Sequence, residues 1–291
     1  MYLYQFNFLG VSLAKTNEKK QKEESVVNPD EGNGWKLIRT GKVTGDVVCS
    51  SWNGFLDFFH HENALRQNQS YVFRGHASEE WKLEPTLKRK ITDESTDSSK
   101  IEKKTLEAFQ KHCLGRRGHN PTDLSESEWW ALGQHFGLNT PLLDWSESPY
   151  VAAFFAFNSE NEESDNVIIW LLSKGVNLKP CVEKLKSENH LEFLTPYLDE
   201  NARLINQRGL FVRSPNMMCI SEWIEEIKED GTIDLARVLI PRSEKEFALD
   251  SLDKMNINDF TLFPDLSGSG KYANYVVNRD NEYYRKAEED T

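Results

Sequence analysis

Apolar residues along the chain recur with two different periods. Tyr2, Tyr4, Phe6 and Phe8 alternate with Leu3, Gln5 and Asn7, the period of two that marks a strand, and Trp35–Val43 reads as a second strand. Between them, Lys15–Gly34 is charged and rich in Gly and Asn, the composition of a linker. After Ser51, a good N-cap, Trp52, Phe55, Leu56 and Phe59 fall at helical spacings. Tyr71–His76 is a short β-rich run ending in Arg74-Gly75-His76, and Trp81–Leu87 is extended into a turn. A polar connector over Asp93–Lys100 leads to a helix from Ile101, with Ile101, Leu106, Phe109 and Cys113 as its buried stripe, closed by Gly115–Asp123.

The most hydrophobic stretch is Trp129–Phe157. Ser125 and Glu128 form a capping box ahead of it, Trp129, Leu132 and Phe136 share a helix face, and Gly137 is the stop. His135 flanks that face at an edge expected to be buried. Leu138–Trp145 is extended, and Ser148-Pro149 caps a short helix over Tyr150–Phe157 that is apolar nearly all round. Val167–Leu172 suits a central strand buried on both faces. Cys181–Leu198 is helical in character, Gly209-Leu210-Phe211 begins another strand, Ser221 caps a helix over Glu222–Glu229, and Ile233–Pro241 is a strand. Ser243 and Glu246 form a second capping box before a helix marked by Phe247, Leu249 and Leu252. Strands and helices mix without regular βα alternation, so the expected class is α+β: a mixed sheet with helices packed around it. The chain divides into residues 1–48 (N-terminal strands and charged linker), 49–277 (the main domain) and 278–291 (a charged, frayed tail).

Composition narrows the partners. The 291 residues carry a net charge of −12, which argues against broad electrostatic binding to nucleic acid or an anionic membrane, while leaving room for a local basic cleft. Cys49, Cys113, Cys181 and Cys219 are scattered without metal-ligand spacing, so no metal is expected, and reduced thiols fit a cytoplasmic protein. The apolar start has no basic segment ahead of it and falls short of the about 20 residues a spanning helix needs, so an edge strand is expected rather than a signal peptide, and no membrane partner. No P-loop, GxGxxG, HExxH or GxSxG pattern is present.

Candidate chemistry sits where polar residues interrupt apolar runs. Gln134, His135, Thr140 and Asp144 lie among Trp, Phe and Leu, and each would cost about 1–3 kcal/mol if buried unpaired. They therefore need partners or a cleft. Arg74, at a strand end, is placed at a sheet rim; Gly75 permits a sharp turn or close backbone approach. Arg203, Gln207, Arg208 and Arg213 make a basic segment in an acidic chain. Arg116, Arg117 and His119 form another small basic cluster, read as a solvated loop.

Three groups of residues together resemble the FRG domain family, named for a Phe-Arg-Gly motif. They are Phe73-Arg74-Gly75 with Trp81-x-Leu83-x-Pro85-x-Leu87; Gln134-His135-Phe136-Gly137-Leu138-x-Thr140-x-Leu142-Leu143-Asp144-Trp145-x-x-Ser148-Pro149; and Leu262-Phe263-Pro264-Asp265-Leu266. The likeness runs from about Cys49 to Tyr275. The family is found in bacteria and phages, and some members look like parts of defence or toxin systems. Arg74 followed by Gly75 also resembles the first motif of ADP-ribosyltransferases, whose arginine holds NAD, which implies an ADP-ribosyltransferase-like sheet; no Ser-Thr-Ser strand or Gln/Glu-x-Glu motif is assigned here.

These likenesses imply an NAD-dependent ADP-ribosyltransferase or NAD-cleaving effector, with NAD as substrate. His135, Asp144 and Gln207 would be catalytic, and Arg74, Gly75, Gln134, Thr140, Arg203 and Arg208 would bind the nucleotide or another anionic ligand. The competing reading is a non-enzymatic module that recognises a protein or nucleic-acid partner through the same cleft. In it Arg74 and Asp144 are a structural clamp, His135 is a core histidine packed by Phe136 and Trp129, and Asp144 caps the helix near Pro149. Trp129, Trp130, Trp145 and Phe154 are expected in the core, and Asp265 is a turn former or a direct ligand.

Overall fold

The computed structural model describes residues 31–61, 70–93, 97–116, 123–160, 163–178, 189–195, 202–227 and 233–289. The Tyr2–Phe8 alternation, most of the 15–34 linker, Arg117, His119 and most of Cys181–Leu198 lie outside them. The strands are β1 (Glu31–Gly32), β2 (Trp35–Arg39), β3 (Thr44–Cys49), β4 (Tyr71–His76), β5 (Leu142–Ser146), β6 (Asn166–Ser173), β7 (Glu192–Leu194), β8 (Gly209–Arg213) and β9 (Leu235–Pro241). They form one sheet in the order β1-β2-β3-β9-β6-β4-β5-β8-β7. Among the described residues only β3 and β9 pair in parallel, so the sheet is mixed and the class is α+β, as the patterning predicts.

The helices are α1 (Trp52–His60), α2 (Ser98–His112), α3 (Glu126–His135), α4 (Pro149–Phe157), α5 (Ala202–Asn206), α6 (Ile220–Ile227), α7 (Lys245–Lys254), α8 (Asp259–Leu262) and α9 (Leu266–Glu289). Local chemistry sets several of their ends. Ser51 Oγ accepts from Gly54 N, and Ser125 and Glu128 make a reciprocal capping box. Ser148 caps α4 with Pro149 in the first turn, and Gly137 takes the left-handed conformation, φ 86°, just beyond α3.

β6 organises both layers because its apolar residues alternate across the sheet. Val167, Ile169 and Leu171 join one core with Phe55, Ala152 and Phe157 from α1 and α4, while Ile168, Trp170 and Leu172 join the other with Trp223 and Ile224 from α6. A third cluster, with Leu87, Trp130, Ala131, Leu142, Phe211 and Met217, seats α3 against β5 and β8.

Several expectations are corrected. The second strand ends at Arg39, and the chain turns back into β3. Asp97, not Ile101, sets the start of α2, whose expected apolar stripe is only half-buried; its buried residue is Glu102, ion-paired with Arg213. Ser221 lies inside α6 rather than capping it. α7 has no Ser243 box; a 3-10 turn precedes it, and Glu244 instead accepts from Trp52 N at 2.9 Å. Within Cys181–Leu198 the described residues Glu192–Leu194 form a strand, because β8 offers an edge to pair. The expected boundary between residues 48 and 49 falls inside β3, and that between 277 and 278 falls inside α9.

The sheet has one weak seam. β4 meets β6 over the whole register from Tyr71↔Ser173 to His76↔Ile168, yet meets β5 at the single pair Phe73↔Ser146. Beyond that pair the strands part. On one side of the parting α4 lies so close to β4 that a Cβ at Gly75 would overlap the Ala152 carbonyl oxygen. The glycine is a packing requirement.

Gly75→Ala is therefore expected to lower unfolding free energy by about 3 kcal/mol or prevent folding. Gly137→Ala, where a Cβ meets nothing within 4 Å but φ is positive, should cost about 1 kcal/mol. Urea denaturation monitored by tryptophan fluorescence measures both; equal effects would refute the packing account.

Candidate functional site

A cavity of about 370 Å³ occupies the parted β4–β5 seam. β4 contributes Phe73, Arg74 and Gly75; α3 contributes Ala131, Gln134 and His135; β5 contributes Asp144, Trp145 and Ser146; and Phe155, Arg203, Gln207 and Phe263 complete the wall. Residues far apart in sequence thus converge because β4 and β5 flank one gap and α3 closes it.

Arg74 spans the gap. Its Nη1 donates to the Asp144 carbonyl oxygen at 2.6 Å, filling a position that a continuous β4–β5 ladder would satisfy from the backbone. The Asp144 carboxylate is looser, 3.8 Å from the same nitrogen. Burial pushes the Arg74 pKa down from its ordinary value, Asp144 opposes the shift, and Arg89 adds to it. An arginine stays protonated under that push, so the cavity holds a desolvated cation that favours an anionic partner. The expected Arg74–Asp144 clamp exists, but it is made chiefly through the main chain.

His76 holds the other side of Arg74. Arg74 Nε donates to His76 Nε2 at 3.0 Å, and His76 Nδ1 lies 3.2 Å from the Trp81 carbonyl oxygen and 3.1 Å from Trp170 Nε1. With Nε2 accepting from Arg74, the proton sits on Nδ1 and is donated to the Trp81 carbonyl, which leaves the Trp170 Nε1–H without an acceptor at that nitrogen. The alternative tautomer would accept from Trp170 but would oppose two N–H donors at Arg74 and set the Nδ1 lone pair against the Trp81 carbonyl oxygen. Burial, then Arg74, lower the His76 pKa from 6.5 to about 3, so the ring is neutral near pH 7.

A second chain of hydrogen bonds fixes the carboxylate. Gln134 Nε2 donates to Asp144 Oδ1 at 2.6 Å, Gln134 Oε1 accepts from the Thr140 hydroxyl, and Thr140 N donates to Thr86 Oγ1 at 3.1 Å. Thr140 is fully buried. It orients Gln134 from behind the cavity and does not line it, which corrects its expected place among ligand-binding groups. Asp144 does not cap α4, a role Ser148 fills, and its Oδ1 accepts from Gln134 instead. His135 and Phe136 are exposed, Phe136 at 65 %, so His135 is not a core histidine. Phe136 leaves the helix face expected for it because it is the C-cap residue.

On the far wall, Arg203 pairs with Asp265 and lies over the Phe263 ring, 5.4 Å from its centroid. Asp265 also accepts from Ser267 N and Gly268 N at the start of α9. Ser267 and then Arg203 hold its carboxyl well below the usual range. Asp265 is thus a helix cap and arginine partner. Gln207 Nε2 donates to the Leu262 carbonyl oxygen at 3.1 Å, while the Gln207 carbonyl accepts from Ser146 Oγ at 2.7 Å. Arg208, like Thr140, is an expected ligand group that does not line the cavity: with φ 46° it turns to Glu147, at 3.6 Å, and lines a neighbouring cleft. Trp129, Trp130, Trp145 and Phe154 are buried core residues, as expected.

The sequence reading missed His76, Phe155 and Phe263. His76 had a signal, since the period of two places it on the same strand face as Arg74. Phe155 had none; it is the exposed position of a helix whose composition reads as buried throughout. Among the described residues no three His, Cys, Asp or Glu side chains are placed to hold a metal ion, and no helix is long and apolar enough to cross a membrane.

This is an α+β domain with an arginine-bridged cavity in a parted sheet. The family model described as FRG domain matches residues 69–165, and the chain carries an FRG domain over that segment. The match contains Arg74, Gln134, His135 and Asp144; the Leu262–Leu266 motif lies outside it but reaches the cavity through Phe263. Comparisons with curated proteins and with solved structures found no match.

The His76 shift carries a pH signature. A base whose folded pKa lies below its unfolded value leaves the unfolded state binding more protons, so stability is full above pH 6.5 and falls as pH drops from 6.5 toward 3. His76→Gln should flatten that part of the pH–stability curve, read by urea denaturation at pH 7.5, 6 and 5. An unchanged slope would show that His76 is not the buried neutral base.

Proposed function

We propose that the chain transfers ADP-ribose from NAD, or hydrolyses NAD, as an effector of a bacterial or phage defence or toxin system. The observation that carries this reading is the presence in one open cavity of a desolvated Arg74 guanidinium, the Gln134-oriented Asp144 carboxylate and the exposed His135 imidazole. Arg74 would hold a phosphate of the nucleotide. Asp144 would stabilise the oxocarbenium-like ribose as the C1′–N bond breaks and nicotinamide leaves with the electron pair. His135 would take the proton from the water or acceptor group that forms the new bond at C1′. Gln207 orients the ribose. The volume, near the lower end for ligand sites, suits the nicotinamide nucleotide half, with the adenylate half toward the open side.

A second reading, a recognition module for a protein or nucleic-acid partner, is favoured by one observation: Arg74, Asp144, Gln134 and Thr140 already satisfy one another internally.

NAD consumption and transfer to lysate or nucleic-acid acceptors, followed by nicotinamide release, separate the two. Asp144→Asn is expected to lower turnover by about 100-fold or more, and His135→Ala by about 10- to 100-fold, both with near-unchanged melting temperature because each side chain is exposed. Arg74→Lys should raise KM for NAD and also destabilise the fold. Absence of turnover in the wild type with every acceptor tried favours the module.

A further inference from the structure

We infer that the turn Lys88–Lys90, with the exposed indole of Trp81, is a binding surface for single-stranded nucleic acid beside the cavity. It deepens the proposed function by naming the class of acceptor, and rests on that reading for the chemistry but not for the binding.

Lys88, Arg89 and Lys90 are consecutive cations in a short 3-10 turn, Arg89 and Lys90 exposed and Lys88 half-buried, in a chain of net charge −12. The nearest lysines on either side are neutralised, Lys82 by Glu222 at 3.1 Å and Lys100 by Asp97 at 3.4 Å. Among the described residues Lys88, Arg89 and Lys90 make no ion pair. Three adjacent cations left without carboxylates make a local positive patch that attracts a polyanion.

The turn is tied to the site. Leu87 N donates to the Thr140 carbonyl at 3.1 Å, and Thr86 Oγ1 accepts from Thr140 N, the residue whose hydroxyl orients Gln134. Leu87 packs in one cluster with Ala131, which lines the cavity. Electrostatic influence of Arg89 on both Arg74 and His76 is consistent with that placement.

Trp81 supplies the element that distinguishes nucleic acid from a simple anion. Its side chain is 44 % exposed although it is among the largest apolar groups in the chain, and its ring lies 5.8 Å from that of His76, the residue that holds Arg74. Cations for a phosphate track together with an exposed aromatic ring form the combination that binds unpaired bases, whereas a duplex keeps its bases stacked on one another.

The test is fluorescence anisotropy of a labelled oligo-dT 20-mer and of a duplex of equal length against the full chain over a range of salt concentrations. Expected are binding of the single strand at low salt, tighter than the duplex, and loss on the order of tenfold with Trp81→Ala. The slope of log K against log salt should fall by about 2 when Lys88, Arg89 and Lys90 are all changed to Gln, at about 0.7 per phosphate contact. Lys36→Gln, an exposed change on β2, should leave binding unaltered, and unfolding curves check that each variant is folded. The inference is overturned if the single strand does not bind, if Lys36→Gln weakens binding as much as the turn variant, or if Trp81→Ala binds as the wild type does. Binding without NAD turnover defeats the proposed function and leaves this surface standing; turnover without binding does the reverse.

Discussion

The hydrogen bond from Arg74 to the Asp144 carbonyl is the constraint on which the rest of the site depends. A sheet whose central strands meet at one residue pair would otherwise leave main-chain groups along the seam without the partners a continuous ladder gives them. A guanidinium can reach across such a gap and keep donors to spare, which a backbone amide cannot do. The same substitution that holds the sheet together thus creates a cavity and places a cation in its wall.

That arrangement demands support on both sides. His76, neutral and fixed by Trp81, orients Arg74 without competing for its charge, while Thr86, Thr140 and Gln134 pass orientation from the 81–87 segment to the Asp144 carboxylate. Arg74, His76, Asp144, Gln134 and Thr140 belong to one hydrogen-bonded assembly that is buried behind the cavity at Thr140 and leaves the Asp144 carboxylate exposed within it. Gly75 serves the assembly from beneath, since only a glycine lets α4 close over the parted strands.

Much of the fold was legible locally. The Ser51, Ser125 and Ser148 caps, the Gly137 stop and the doubly buried β6 follow from short-range patterns, because each rests on hydrogen bonds or packing within a few residues of itself. The failures share a physical cause. The apolar stripe expected on α2 gave way to Glu102 because Arg213, on a strand more than a hundred residues away, supplies its counter-charge. The Ser243–Glu246 box gave way to a 3-10 turn over Arg242–Glu244, whose Glu244 accepts from Trp52 N on a helix nearly two hundred residues earlier.

For the site, the residue types and their grouping were written in the chain: an arginine before a glycine, and Gln134, His135 and Asp144 set in an apolar run. Which of them face a ligand was not. Thr140 turned inward, Arg208 turned away and His76 joined, each through contacts between elements that share no sequence neighbourhood. Local sequence determined the strands, helices and the polar residues needing partners, since propensity and capping act at short range. Only the tertiary structure decided that the β4–β5 seam parts and that Arg74 bridges it, because that depends on where strands distant in sequence come to lie in one sheet.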